Sequence, residues 1–317
     1  MKTNEWIKQP VFLVGAERSG TTVLRLMLDH HPEIAFRQEF EFAVDRILEN
    51  GQWPGLADYY DWLSMNRIFQ ASGFHIDPES DYPQLINSFL VQKRNRDGKS
   101  IVGATVHRHF DRLKWIWPDA RFIHLVRDGR DVARSCIGMG WAGNVYTGIE
   151  RWIGAERLWE TLKAGLHQSD YIEIRFEDLI RETRTVLDQV CRFMGTRYND
   201  AMLDYTKKTT YEAPDPKLIE QWRRKQSPKE IQLVESRIAD MLVDRGYPLS
   251  GLARLTVTRH MRYRLMIQDR LAGWRFGIRR FGLFLILADN VTRRLGFSAA
   301  SRRIRKKIDA IEASHIQ

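Results

Sequence analysis

The chain has 317 residues, of which 43% are apolar and 11% aromatic, enough for a sizeable buried core and too apolar for disorder over the main body. The net charge of +10 is concentrated in residues 251–317, which hold fifteen Arg and Lys against four Asp and Glu. This distribution argues against a generally basic nucleic-acid-binding protein and indicates a local task for the last part of the chain.

Targeting and redox signals are few. The two cysteines, Cys136 and Cys191, lie far apart without a CxxC pattern, so we expect neither a structural disulfide nor a structural zinc site. Residues 1–10 lack the apolar segment of a secretory leader, and no run of about 18 apolar residues follows. We therefore expect a cytoplasmic protein without a membrane span.

Short apolar runs alternate with helical patterns over most of the chain. The strand-like runs lie at 11–14, 101–106, 121–126 and 171–176. Helical spacing begins at Thr21 and ends near Pro32, and it recurs at 109–117, 128–137, 148–167, 183–194 and 228–245. This alternation predicts an α/β fold with a central parallel sheet covered by helices on both faces.

The same patterns predict two domains. Residues 1–250 form the α/β domain, which ends at the turn signal Gly-Tyr-Pro. Within it, residues 51–100 show no strand pattern and are interpreted as a helical insertion that walls a substrate cleft. Residues 251–317 are interpreted as a basic, amphipathic helical tail.

A glycine-rich loop follows the first predicted strand. Val11–Thr22 reads V-F-L-V-G-A-E-R-S-G-T-T, where Gly15 and Gly20 let the backbone approach a phosphate at the positive end of the next helix. The spacing matches the triphosphate-binding loop except that Thr21 replaces its lysine. That absence argues against a magnesium-dependent kinase or NTPase, and Arg18 would supply charge from within the loop.

R-S-G-T-T after an apolar strand resembles the 5′-phosphosulfate loop of sulfotransferases that use 3′-phosphoadenosine 5′-phosphosulfate (PAPS). The continuation V-L-R-L-M-L-D-H-H-P-E-I resembles the tyrosylprotein and carbohydrate branches. The resemblance covers roughly residues 10–248 and implies a P-loop-like fold, PAPS as co-substrate and no metal. It assigns cofactor binding in this loop to Arg18, Ser19, Gly20, Thr21 and Thr22.

A second stretch resembles the 3′-phosphate site of the same family. In R-F-I-H-L-V-R-D-G-R-D-V-A-R-S, Arg127 ends a strand and Ser135 follows eight residues later. The guanidinium fork of an arginine suits a phosphate. Taken alone, the segment would favour a solvated turn with ion pairs, and the phosphate-site interpretation depends on its combination with R-S-G-T-T.

Two further correspondences are less specific. R-F-E-D-L resembles the segment that places an aromatic ring against adenine, which would be Phe176, although a core phenylalanine would look identical. Q-W-R-R-K falls where the family closes a basic loop over the 3′-phosphate, which suggests Arg223 and Lys225, with Arg224 between them.

Two residues compete as the catalytic base that takes the proton from the acceptor. Glu39, in F-R-Q-E-F-E-F, matches the glutamate after the His-Pro turn, with Glu41 as the match if the register slips by two. His107 matches the histidine of cytosolic sulfotransferases, but Thr105 replaces the usual lysine before it. Arg18 would stabilise charge on the leaving phosphate.

The tail and the acceptor leave alternatives open. Arginines interleave with Trp and Phe in residues 251–317, which suits an anionic membrane surface or packing on the body, and no base-reading motif supports nucleic-acid binding.

We expect a hydroxyl acceptor on a glycan, a glycolipid or another membrane-proximal molecule. The alternatives are a P-loop kinase or NTPase, and a non-catalytic nucleotide-binding module that contacts a membrane or a partner.

Overall fold

The computed structural model describes residues 5–294 together with residues 304, 307, 308 and 311. Its chain divides into two compact units. The first takes in Met1–Asp128 and Arg151–Gln221, and the second takes in Gly129–Glu150 and Trp222–Gln317. The predicted division at residue 250 stays a prediction.

A parallel five-stranded sheet forms the centre of the first unit. Its strands are β1 (Val11–Val14), β2 (Ile34–Arg37), β3 (Ile101–Val106), β4 (Arg121–Val126) and β5 (Tyr171–Arg175). Their order is β2-β3-β1-β4-β5, and every neighbouring pair is parallel. The predicted α/β class is therefore confirmed.

Helices surround the sheet and form the second unit. In chain order the α-helices of the described residues are α1 (Thr21–Asp29), α2 (Leu56–Met65), α3 (Arg67–Gln70), α4 (Tyr82–Asp97), α5 (Leu113–Ile116), α6 (Gly129–Gly138), α7 (Val145–Gly148), α8 (Glu150–Lys163), α9 (Phe176–Arg181), α10 (Thr183–Met194), α11 (Tyr205–Lys208), α12 (Trp222–Lys225), α13 (Pro228–Asp244), α14 (Arg259–Phe281) and α15 (Leu283–Arg294).

Alternation along the strands explains the two layers of the first unit. Phe12 and Val14 of β1 pack into one apolar cluster, whereas Val11 and Leu13 pack into another. Because successive side chains of a strand point to opposite faces, each cluster belongs to one face of the sheet. All four residues are at most 2% exposed, as expected for a central parallel strand.

Most predicted elements are present, with four differences. The edge strand β2 was missed. The helix predicted over 109–117 is a 3₁₀ turn at Phe110–Arg112 followed by the short α5. The helix predicted over 148–167 is α8, which starts after the separate turn of α7 and ends at Lys163. Phe176 begins α9 instead of ending a strand.

The 51–100 region is helical, as predicted, and contains α2, α3 and α4. Asp81 caps α4 by accepting a hydrogen bond from the backbone N–H of Gln84, and the side-chain Oε1 of Gln84 accepts one from the backbone N–H of Asp81 in a capping box. The buried side chains of α4 pack into the same cluster as Phe12. Helix α4 therefore links β2 to β3 and covers the sheet, while a role of this region as cleft wall stays a prediction.

The long helix α14 lies within the predicted tail and belongs to the second unit. Within residues 5–294, the structure contains no helix that is both long and apolar enough to cross a membrane. The basic stretch S-R-R-I-R-K-K-I at 301–308 lies outside the described residues, apart from positions 304, 307 and 308.

Candidate functional site

The carboxyl ends of the strands carry the predicted site residues of the first unit. The glycine-rich loop follows β1, Glu39 follows β2, His107 follows β3 and Arg127 follows β4. Parallel strands end at the same edge of a sheet, and open α/β sheets bind ligands there, where the strand order reverses. Strand β1 lies at that reversal because β3 and β4 flank it.

The loop after β1 has a backbone that only glycine tolerates at its two ends. Gly15 has φ 144°, and a Cβ there would lie 2.4 Å from the carbonyl oxygen of Leu125. Gly20 has φ 94°, and a Cβ there would lie 2.2 Å from the Phe176 ring. Both glycines are therefore required by conformation and by close approach.

The loop between these glycines fits a phosphate-bearing ligand. Ser19 is fully buried, and its Oγ has no hydrogen-bond partner among the described residues. Arg18 is exposed and adopts a left-handed φ of 72°. Helix α1 begins at Thr21 with no acidic residue in its first turn, so its positive end is not neutralised by a carboxylate of its own.

Three side chains form a hydrogen-bonded chain beside the loop. His107 Nε2 lies 3.0 Å from Thr21 Oγ1, and His107 Nδ1 lies 2.7 Å from Glu41 Oε1. The backbone N–H of His107 also donates to Glu41 Oε1 at 3.0 Å. The histidine therefore connects a buried carboxylate to the first residue of α1.

The charges of Glu41 and His107 stabilise each other. Burial alone would lower the pKa of His107, but the hydrogen bond and charge of Glu41, with the charges of Glu17 and Glu39, raise it above its ordinary value. Burial alone would raise the pKa of Glu41, but the hydrogen bond and charge of His107 bring it below its ordinary value. Each partner therefore shifts the other towards its charged form.

Glu39 stands apart from this chain. Its side chain is exposed and has no hydrogen bond or ion pair among the residues that the structure describes. Nearby protein atoms nevertheless desolvate the carboxylate in part, and together with the charge of Glu41 they raise the pKa of Glu39. The backbone N–H of the next residue, Phe40, donates to the carbonyl of Thr105 at 2.8 Å and holds this segment against the end of β3.

Arg127 joins the glycine-rich loop to a later segment of the first unit by hydrogen bonds. Its guanidinium donates to the carbonyl of Arg18 at 3.2 Å and to the carbonyl of Leu218 at 2.8 Å. It also lies over the Phe176 ring, 4.5 Å from the centroid. Phe176 is 2% exposed and belongs to a core cluster, which agrees with the core interpretation of this residue, and its contact with adenine stays a prediction.

The remaining predicted cofactor residues belong to the second unit. Ser135 is half-buried on α6, and Arg223 and Lys225 are exposed on α12, where Arg223 lies over the ring of Trp222 at 4.3 Å. Their predicted role at the 3′-phosphate stays a prediction.

Sequence reasoning missed two partners of this site. Glu41 was considered only as a substitute for Glu39, whereas it is 4% exposed and holds His107. The second is Asp45, whose two carboxylate oxygens accept hydrogen bonds from Arg108 at 2.8 and 2.6 Å. The signal for Glu41 was its position between two phenylalanines, Phe40 and Phe42, both of which are buried.

Metal ligands are a separate question. Within the part of the chain that the structure describes, no cluster of three or more His, Cys, Asp or Glu side chains is arranged to hold a metal ion. The expectation of a metal-free reaction stays a prediction.

Comparison with known proteins gives a consistent result. A sequence profile described as the sulfotransferase family matches residues 10–200. Protein-tyrosine sulfotransferase A of Caenorhabditis elegans is 24% identical over 215 residues, covering 62% of this chain and 52% of that protein. Protein-tyrosine sulfotransferase 1 of Danio rerio is 25% identical over 221 residues, covering 62% of this chain and 55% of that protein. The chain spans about half the length of the curated relatives it matches.

Solved structures with the same fold include two sulfotransferase domains. The domain from the curacin biosynthetic pathway superposes with a TM-score of 0.57 at 16% identity, covering 77% of this chain and all of that domain. The domain from the olefin synthase of Synechococcus PCC 7002 gives a TM-score of 0.51 at 21% identity, covering 74% of this chain and 98% of that domain. At these identities the likeness establishes the P-loop-like fold alone.

Proposed function

Because the chain belongs to the sulfotransferase family, we propose that it transfers a sulfuryl group from PAPS to a hydroxyl group of an acceptor. The observation that carries the proposal is the loop after β1, with its two close-approach glycines and the buried hydroxyl of Ser19, which has no hydrogen-bond partner among the described residues. PAPS, when bound, supplies the sulfuryl group and a phosphate as leaving group. The protein supplies the binding, the charge and the base.

The residues of the glycine-rich loop are suited to bind a phosphate. The N–H groups in the first turn of α1 point their positive ends at the bound phosphate, and the hydroxyls of Ser19 and Thr22 add donors. Arg18, which is exposed at the tip of the loop, contributes the positive charge that a lysine supplies in triphosphate-binding loops. Charge that develops on the phosphate is thereby stabilised without a metal.

The protonation state of His107 decides what the Thr21 hydroxyl does. A protonated His107 donates from Nε2 to Thr21 Oγ1, which leaves the O–H of Thr21 directed elsewhere and able to donate to a phosphate. A neutral His107 that donates from Nδ1 to Glu41 accepts the O–H of Thr21 instead. The Glu41 carboxylate favours the first arrangement, so we assign His107 and Glu41 as positioning residues for Thr21.

Glu39 is then the better base. Both ring nitrogens of His107 are already hydrogen-bonded, whereas the Glu39 carboxylate is exposed and without a hydrogen-bond partner among the described residues. A raised pKa also makes a carboxylate a stronger base, since its affinity for the acceptor proton is higher. Glu39 would accept the proton as the acceptor oxygen attacks the sulfur.

The proposal also includes the acceptor and the cellular location. We propose a hydroxyl acceptor on a glycan, a glycolipid or another membrane-proximal molecule, and a cytoplasmic enzyme. Two relatives are named protein-tyrosine sulfotransferases, so a tyrosyl peptide is the acceptor against which these hydroxyls should be compared.

A transfer assay with labelled PAPS tests the proposal. The purified chain is incubated with PAPS in the presence of a chelator and with tyrosyl peptides, oligosaccharides or glycolipids as acceptors. We expect label on one acceptor class, and we expect Glu39→Gln to slow the labelling by about 10²–10⁴-fold without weakening nucleotide binding. Turnover that requires magnesium and ATP, with no transfer from PAPS, would support the kinase alternative instead.

A further inference from the structure

One side of α14 packs within the second unit. Asp269 Oδ1 accepts hydrogen bonds from the backbone N–H of Gly143 at 2.6 Å and from Thr147 Oγ1 at 2.7 Å. The ring of Phe276 lies so close to Gly140 that a Cβ there would be 2.4 Å from it. These contacts fix which side of the helix faces inward and therefore which side faces solvent.

The opposite side of α14 exposes large apolar side chains. Tyr263, Ile267, Leu271 and Trp274 are 64%, 41%, 55% and 46% exposed. Their spacing of four, four and three residues places them in one stripe along the helix. A continuous apolar stripe that is exposed to solvent is unfavourable in free energy and indicates a surface that binds another protein or a membrane.

Arginines accompany this apolar stripe. Six are exposed, namely Arg259, Arg262, Arg264, Arg270, Arg275 and Arg279. None of the six has an acidic partner among the residues for which the structure gives side chains. The one acidic residue of the helix, Asp269, is used internally, so the outer side of α14 is cationic as well as apolar.

Three of these arginines converge on a groove. Arg264, Arg275 and Arg279 line a depression of roughly 590 Å³ between α14 and residues 137–143, and Ile267 and Leu271 line the same depression. Positive charge and apolar surface therefore meet at one place, as required for a ligand that carries an anionic head and an apolar body.

We propose that α14 is an interfacial helix that lies on an anionic phospholipid bilayer, with Arg264, Arg275 and Arg279 contacting lipid phosphates. Charge complementarity selects this occupant, because a second copy of the chain would bring two cationic faces together. Helices with an apolar stripe and a cationic polar side bind bilayer surfaces in the plane of the headgroups. This proposal does not depend on the sulfotransferase reaction.

Vesicle flotation with the full chain tests the proposal. We expect binding to vesicles of phosphatidylcholine with a minority of phosphatidylserine, weakened by salt, and little binding to pure phosphatidylcholine. Replacing Arg264, Arg275 and Arg279 together by glutamine should weaken binding about 100-fold, since each surface cation contributes about fivefold. A second variant, Ile267→Ser with Leu271→Ser and Trp274→Ser, should also detach the protein.

The control variant removes the same charge elsewhere. Arg184→Gln, Arg192→Gln and Lys207→Gln replace exposed cations that already pair with aspartates, so binding should change little. Circular dichroism and thermal unfolding must show that each variant is folded.

Four results would overturn the assignment. The first is equal binding to neutral vesicles. The second is equal loss of binding in the control variant. The third is a dimer in sedimentation that depends on the apolar stripe, with no vesicle binding, which would identify a second copy as the occupant. Binding to DNA that matches vesicle binding and survives the apolar variant would instead identify a nucleic-acid surface.

Discussion

Replacing Glu41 by glutamine tests the proposed control of the Thr21 hydroxyl. The substitution keeps an oxygen 2.7 Å from His107 Nδ1 but removes the negative charge. Burial then dominates and lowers the pKa of His107, so the ring becomes neutral at pH 7 and accepts the Thr21 hydroxyl proton. The phosphate loses one donor, which amounts to about 1.5–3 kcal/mol for a hydrogen bond to a charged group.

The direction of the pH dependence follows from the pKa shifts. In the native protein the pKa of His107 is raised, so the contribution of its charge is complete below about pH 6.5 and is lost as the pH rises through the higher folded value. The pKa of Glu41 is lowered, so its contribution is present above its ordinary value and is lost as the pH falls through the folded one. The ion pair therefore persists to a higher pH than an ordinary histidine would allow and to a lower pH than an ordinary glutamate would allow.

Calorimetric titration with 3′-phosphoadenosine 5′-phosphate at several pH values measures the effect. At pH 7 the Glu41→Gln variant should bind about 10- to 100-fold more weakly than the native protein, and the two should converge at acid pH. The ratio of dissociation constants removes the ligand's own ionisation, because that ionisation is common to both proteins. Thr21→Val is the comparison variant and should bind weakly at every pH.

A ratio near one across the whole pH range would refute the proposed role of His107. So would a variant that binds more tightly than the native protein at neutral pH, because a neutral His107 would then be the form that favours binding. Thermal unfolding of each variant separates a local effect on the loop from a loss of fold.

Three further predictions concern single residues. Glu39→Gln should lower turnover by about 10²–10⁴-fold with unchanged nucleotide affinity, and the native rate should decline on the acid side through a pKa above the ordinary glutamate value, as a pH–rate profile will show. An unchanged rate would make His107 the base. Gly20→Ala should abolish nucleotide binding and lower the melting temperature, since its Cβ meets the Phe176 ring at 2.2 Å with φ at 94°; Gly98→Ala, also at positive φ but in open space, is the matched control. Ser135→Ala should weaken 3′-phosphoadenosine 5′-phosphate about tenfold and leave adenosine 5′-phosphate unchanged in the same titration, whereas an equal loss for both would place Ser135 elsewhere.

The sequence predicted the strands that have strong apolar runs. β1, β3 and β4 have the predicted bounds because nearly all of their residues are buried on both faces of the sheet and most of them are apolar. The edge strand β2 was missed because Ile34–Arg37 offers only three apolar residues. Its pairing with β3 supplies the evidence for a strand, and pairing is not visible in one short segment.

The candidate site was predicted where it is local in sequence. The loop from Gly15 to Thr22 could be identified because its glycines and hydroxyls are adjacent along the chain. The contact of Glu41 with His107 joins residues 66 positions apart, and it arises because β2 and β3 end side by side. The resemblance placed both segments near the reacting groups, but only the structure shows that Glu41 is hydrogen-bonded to His107.

Binding of 3′-phosphoadenosine 5′-phosphate in the absence of magnesium is the decisive measurement for the phosphate site. We expect saturable binding in a calorimetric titration with a chelator present, lost in Gly20→Ala and insensitive to added magnesium. No heat of binding at millimolar nucleotide, or binding only of magnesium-ATP, would contradict it.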